Sequence, residues 1–397
     1  MEEAKRVKNL PPYLFAEIDK MINKAKENGV DVISFGIGDP DQPTPNYIVD
    51  SMIEAVQDPS THSYPSYEGL YEYRDAVTNW YNERFSVDLD PDTEVISLIG
   101  SKEGIAHLPF CYINQDDYAL VPDPGYPVYN TASLLAGGKV EKLPLKKENN
   151  FLVDLDSVDE EILKKAKLLF LNYPNNPTAA TANEDFFKEM ISYAKKYDFI
   201  IAHDSAYSEI YYEDNKPLSF LEVEGARDVG IEFGSLSKSF NMTGWRVGWA
   251  VGNEKIIDAL GRIKTNIDSG IFEAIQKSAI TALNGNGSAI ESTCDIYKNR
   301  RNKIVDGLNE LGWNINKNTA TFYIWAEIPD SYSTGEEFSK KVFEETGVFF
   351  TPGIGYGDEG NKYVRIALTV NESRIEEALE RLKNSNIFKG WFTFDKL

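Results

Sequence analysis

Through the middle of the chain, short apolar runs alternate with amphipathic stretches. Glu94–Ile99 (EVISLI) predicts a strand feeding a helix that starts near Lys102. The runs at Tyr118–Val121, Val140–Leu145, Leu168–Leu171, Phe199–Ala202, Gly230–Gly234 and Val247–Val251 predict further strands. Between them, Glu184–Lys196 sets Phe186, Phe187, Met190, Ile191 and Ala194 at helical spacing. Strands this apolar are buried on both faces, which predicts a largely parallel sheet covered by helices, an α/β fold.

After Asn284-Gly285-Asn286-Gly287 the pattern changes. A long charged helix leads to Trp313–Ile315, then to apolar runs at Thr321–Glu327 and Val364–Leu368 with helices between, which reads as an α+β lobe. A chain of 397 residues suits one large and one smaller domain. The expected division is a large domain over 45–285 and a small one built from both chain ends, 1–44 and 286–397.

Acidic residues outnumber basic ones 63 to 41, a net charge of −22 that repels phosphate backbones. No local basic patch offsets it, so no nucleic-acid partner is expected. Cys111 and Cys294 lie far apart without CxxC spacing, so neither a disulfide framework nor a metal site is expected. Met1–Lys5 lacks an apolar signal core and no run approaches a membrane span, so the expected location is cytoplasmic, with no membrane partner.

The strongest chemical signal is Ser235-Leu-Ser-Lys-Ser-Phe-Asn-Met-Thr-Gly-Trp-Arg246-Val-Gly248, between two strands. A lysine just after a buried strand, here Lys238, can condense with an aldehyde cofactor. Ser235, Ser237 and Arg246 supply donors and a fixed positive charge for a phosphate. An isolated lysine beside a turn would be an ordinary surface residue; the length of the pattern argues otherwise. Asp204 and Tyr207 follow a second buried strand. A carboxylate there suits a pyridinium nitrogen, and the tyrosine suits the ring oxygen of pyridoxal phosphate. Asn172-Tyr-Pro-Asn-Asn176-Pro177-Thr178 follows a third strand and aims Asn176 at that same oxygen. Gly100-Ser101-Lys102 forms a small-residue turn into a helix, where exposed N–H groups and the dipole attract phosphate.

Together these runs resemble the class I/II aminotransferases of fold type I, over nearly the whole chain. The resemblance implies pyridoxal 5'-phosphate as cofactor, small amino acid and 2-oxo acid substrates, and a homodimer with shared active sites. It implies that Lys238 binds the cofactor covalently and then carries the proton at the substrate Cα. By the same resemblance, Tyr64 reaches the neighbouring subunit's phosphate and Tyr126 stacks on the pyridine ring. Arg365 clamps the substrate α-carboxylate near the Gly38 backbone. Tyr13, in Leu10-Pro-Pro-Tyr-Leu-Phe15, and Lys102 match positions of substrate contact, and Glu103 is a further candidate for the far end of a substrate. One departure stands out: Ala179 occupies a position that is usually glycine.

A nicotinamide dehydrogenase is disfavoured because Gly36-Ile-Gly38 lacks a third glycine, and Pro40 and Pro43 block the helix that should follow. A transcription regulator with an aminotransferase-like domain would need DNA-binding length ahead of Leu10. A lyase on the same fold stays open, because sequence does not reveal which Cα bond is broken.

Overall fold

The computed structural model describes residues 1–8, 10–11 and 14–388, with the side chains at 14–17 and 19 left aside. The central sheet has seven strands: β1 (Val95–Leu98), β2 (Tyr118–Asp123), β3 (Lys139–Pro144), β4 (Ala166–Leu171), β5 (Ile200–Asp204), β6 (Gly230–Ser235) and β7 (Gly248–Gly252). Their spatial order is β1-β7-β6-β5-β4-β2-β3. Each corresponds to an apolar run in the sequence, within a few residues at either end.

Among the described residues, only β7 of this sheet runs antiparallel to its neighbours, β1 and β6. That single reversal organises the site. The other six strands end at one edge of the sheet, and β7 starts there, so the segment entering β7 meets the segments leaving the rest.

Burial on both faces follows from alternation along the strands. In β4, Leu169 and Leu171 pack on one side with Phe187, Met190 and Ile191 of the helix Glu184–Tyr197. Leu168 and Phe170 pack on the other side with Leu108 of the helix Ser101–Tyr112. Asn183 caps the first of these helices by accepting from Phe186 N, and Glu184 and Asp185 sit in its first turn.

A second core gathers residues from both chain ends. Ile33 and Phe35 join Trp313, Phe322, Ile324, Phe338, Val348, Val364 and Ile366. Ile33–Ser34 pairs in parallel with Val348–Phe349. Three antiparallel strands complete this lobe: β8 (Tyr323–Glu327), β9 (Thr351–Pro352) and β10 (Tyr363–Ala367), with β10 central. Among the described residues, no helix is long and apolar enough to cross a membrane.

Candidate active site

At the strand-end edge, a cavity of about 300 Å³ is bounded by segments from both lobes. Ser101 follows β1, Tyr126 follows β2, Asn172 and Asn176 follow β4, Asp204 ends β5, and Ser235, Ser237 and Lys238 close β6. Arg246 precedes the reversed strand β7, Gly38 comes from the N-terminal segment, and Arg365 lies on β10. The cavity therefore gathers twelve of the fifteen sequence-selected site residues, Lys102 included. Tyr64 is not among its lining and is 89% exposed. Tyr13 lies outside the described residues.

One side of the cavity is built for an anion. Gly100 turns the chain into the helix Ser101–Tyr112 with φ +74°, and a Cβ there would run into the Arg246 guanidinium. Glycine thus serves twice, for the left-handed turn and for the close approach. Arg246 is itself left-handed at φ 56° and is anchored by donation from Nη1 to the Thr243 carbonyl at 2.8 Å. The Ser235 hydroxyl oxygen accepts from Ser237 N at 3.1 Å.

Elsewhere the lining presents a buried carboxylate. Asp204 Oδ2 accepts from the Tyr129 hydroxyl at 2.8 Å, and Oδ1 from Ala206 N at 3.3 Å. Burial pushes this carboxyl up, and those two donors pull it back. Burial also holds the Tyr207 hydroxyl well above its ordinary value; it shares a hydrogen bond with Tyr323 at 3.1 Å.

Lys238 sits between these features, its Nζ donating to the Gly38 carbonyl at 3.1 Å. Burial lowers it to about 8, with Asp39 and Asp204 opposing and Arg365 and Arg246 reinforcing. Arg365, 1% exposed, donates from Nη1 to Asn176 Oδ1 and from Nη2 to the Gly36 carbonyl, both at 2.9 Å. Its guanidinium lies 4.1 Å from the Tyr323 ring centroid and 4.9 Å from that of Tyr356. The 36–41 segment is pinned further along by the fork of Arg300 on Asp41, at 2.7 and 2.8 Å. A Cβ at Gly38 would collide with the Tyr323 hydroxyl, so the backbone approaches where no other residue fits.

The loop after β4 is knit together by its asparagines. Asn172 Nδ2 donates to the Asp204 carbonyl at 2.7 Å and Asn172 Oδ1 accepts from Asn176 N at 2.8 Å. Ala179 takes φ 61° and is buried, the conformation expected of the glycine it replaces. Ala179→Gly should therefore raise the unfolding free energy by about 0.5–1 kcal/mol. Denaturant unfolding would check this, and an unchanged or lower midpoint would show that the neighbouring bonds already absorb the strain.

One sequence expectation reads differently here. Glu103 does not line the cavity: it accepts from Ile99 N at 3.0 Å and bonds His107 at 2.8 Å and Lys264 at 3.3 Å. Glu103, His107 and Asp268 bring ligand-type atoms within 4.8 Å of one another. The Lys264 ammonium already bridges the two carboxylates, however, reaching Asp268 at 2.7 Å. His203 is fully buried and bonded to Glu232 at 2.9 Å, away from the cavity. Conversely, Asn172, Tyr323 and Asp39 line the cavity without having been singled out. Asn172 lay within the quoted asparagine run. Tyr323 is distinguished from its aromatic neighbours only by strand register, diagonal to Arg365 across the β8–β10 pair.

The sequence profile of aminotransferase class I and II matches residues 30–382. The chain is 67% identical over 387 residues to an LL-diaminopimelate aminotransferase of Halothermothrix orenii, covering 98% of this chain and 99% of that protein. It is 52% identical over 383 residues to one from Moorella thermoacetica, covering 96% and 98%. Among solved structures, it is similar to substrate-bound BacF from Bacillus subtilis, with TM-score 0.93 and 38% identity over 96% of this chain and 97% of that one. A probable N-succinyldiaminopimelate aminotransferase from Thermus thermophilus aligns with TM-score 0.87 and 33% identity over 93% and 99%.

Proposed function

This chain belongs to the aminotransferase class I and II family, and from that premise we propose that it transfers an amino group from LL-2,6-diaminopimelate to 2-oxoglutarate. The products are L-glutamate, tetrahydrodipicolinate and water, a step of lysine biosynthesis. The observation that carries the substrate is the 67% identity over 98% of the chain with a protein of that activity.

The lining suits pyridoxal 5'-phosphate as cofactor. Ser101, Lys102, Ser235, Ser237 and Arg246 provide hydroxyls and two cations beside a helix N-terminus, a donor set for a dianionic phosphate. Asp204 supplies the anion for a protonated ring nitrogen, while Asn176 and Tyr207 serve the ring oxygen and Tyr126 the ring face. Bound there, the cofactor would act as an electron sink for the carbanion formed at the substrate Cα.

The protein's own part is to hold the substrate and move one proton. Arg365 and Asn176 fix the α-carboxylate, with the Gly38 backbone alongside. Lys238 Nζ would take the proton from the substrate Cα and hold it for return later in the transfer. Burial, by lowering its pKa to about 8, brings this amine nearer to the neutral, base-competent form than an exposed lysine. Lys102 and Tyr13 serve the far end of the substrate.

We place the reaction in the cytoplasm and the chain in a homodimer, with a large domain over 45–285 and a small one from 1–44 and 286–397. Support for the dimer comes from Tyr64, Tyr67, Tyr71, Ile267 and Phe272, all large and exposed on one chain. Tyr64→Phe should weaken cofactor retention. Mixed dimers of Tyr64→Phe with Lys238→Ala then distinguish the two arrangements. Recovery of one tight site means that Tyr64 serves the neighbouring subunit, because only then does an intact Lys238 meet an intact Tyr64.

The substrate is tested by mixing the yellow enzyme with single amino acids and following loss of its visible absorbance. LL-diaminopimelate and glutamate should both discharge the colour. If LL-diaminopimelate fails while alanine or aspartate succeeds, the chain is an aminotransferase of another specificity.

A further inference from the structure

Tyr129 lies in the helix Pro127–Leu135, three residues after Tyr126, which stands at the N-cap position of that helix. Pro127 at the first helical position fixes the turn between them. Tyr129 is fully buried and does not line the cavity. Its ring stacks on Phe170 of β4, with centroids 5.1 Å apart and 13° between planes. It also meets the Tyr126 ring edge-on at 5.7 Å. Its hydroxyl makes a shorter hydrogen bond to the Asp204 carboxylate than Ala206 N does, 2.8 Å against 3.3 Å.

Burial drives the Tyr129 proton to stay on its oxygen, with the neighbouring Asp204 charge acting the same way, so this phenol is a donor and never an acceptor anion. Burial favours the neutral form of Asp204, and the Tyr129 hydrogen bond is the foremost influence opposing it. His203 and Lys238 act electrostatically in the same direction as Tyr129. The ring contacts with Phe170 and Tyr126 and the bond to Asp204 together hold the phenol against the carboxylate.

We propose that Tyr129 is a positioning residue for aminotransfer, holding the Asp204 carboxylate in place for a cationic ring nitrogen and bracing Tyr126 against the ring face. The proposal rests on the cofactor reading given above. It assigns to one buried side chain the alignment of two groups that touch the cofactor from different elements. An N–H or O–H bond to a charged acceptor contributes about 1.5–3 kcal/mol, so its removal should be measurable in binding.

The test compares equilibrium binding of pyridoxal phosphate and of its 1-deaza analogue, which carries C–H where the ring nitrogen stood, to cofactor-free protein. Tryptophan fluorescence reports both. Tyr129→Phe keeps the aromatic ring and its stack, removing only the hydroxyl. It should bind pyridoxal phosphate about tenfold or more weakly while binding the analogue as the parent does. On an Asp204→Asn background the same substitution should add no further loss. Equal weakening of both ligands, or none, would overturn the role through Asp204, as would a Phe variant that fails to fold. A parent protein that binds neither ligand would overturn the cofactor reading itself.

Discussion

Lys238→Ala should leave a folded protein that still binds the cofactor non-covalently yet transfers amino groups about three orders of magnitude more slowly, or worse. The proposed phosphate donors and Asp204 do not depend on the lysine, so binding should persist through Ser101, Ser237 and Arg246. What would vanish is the proposed carrier of the Cα proton. Neither Asp204 nor Tyr207 stands in for it. Asp204 is committed to Tyr129 and Ala206, and the Tyr207 phenol is held protonated by burial. Full activity in this variant would refute the assignment. In the parent enzyme, borohydride should bleach the yellow colour and leave the label on Lys238; a label elsewhere would do the same damage.

The lowered pKa of this lysine also has a thermodynamic sign. Between about 8 and its ordinary value of 10.5, the unfolded chain holds a proton that the folded cofactor-free protein has released. Unfolding then takes up a proton, so this group makes the folded state relatively more stable as pH rises through that window. The dependence should be present in the parent protein and absent from Lys238→Ala. Parallel stability-versus-pH curves for the two would show that the buried amine is not perturbed.

The second large effect is expected at Arg365. Arg365→Ala should lower kcat/KM by about thirtyfold or more for the amino donor and for 2-oxoglutarate alike, because both present an α-carboxylate. The side chain is almost fully buried and its plane is already set by Asn176, Gly36 and the two tyrosine rings. A substrate carboxylate should therefore meet an oriented guanidinium rather than order one. Arg365→Lys retains charge but not the planar fork and should recover only part of the loss. An effect confined to one substrate would contradict a shared clamp.

Much of this arrangement was legible because strand ends in a doubly covered sheet are where loops can present polar groups together. Asp204, Lys238, Asn176 and Ser101 each follow an apolar run, and the runs were visible. Arg246 was legible as a charge but not as a neighbour of Gly100, since apolar pattern carries no strand direction and the reversal of β7 is what joins them. The diversion of Glu103 was hidden for a related reason. Its partner Lys264 lies 161 residues away in sequence, and spacing gave no hint of the pairing. Ala179 shows the opposite case, in which the one unusual residue in a familiar run marks a left-handed backbone. Tyr129 stands beside Tyr126 in the sequence, yet nothing in the pattern separates it from the many tyrosines that are simple core residues.

The reversed strand has a consequence for synthesis of the chain on the ribosome. Among the described residues, β1 is an edge strand whose one neighbour in the sheet is β7, about 150 residues later. A nascent chain that has exposed β2 to β6 can already assemble the parallel core with Asp204 and Lys238. Its first strand must nevertheless wait unpaired, and Gly100 has no arginine to meet. The anion pocket should thus be among the last parts of the large sheet to form, so that tight capture of the cofactor marks a chain translated past Gly252.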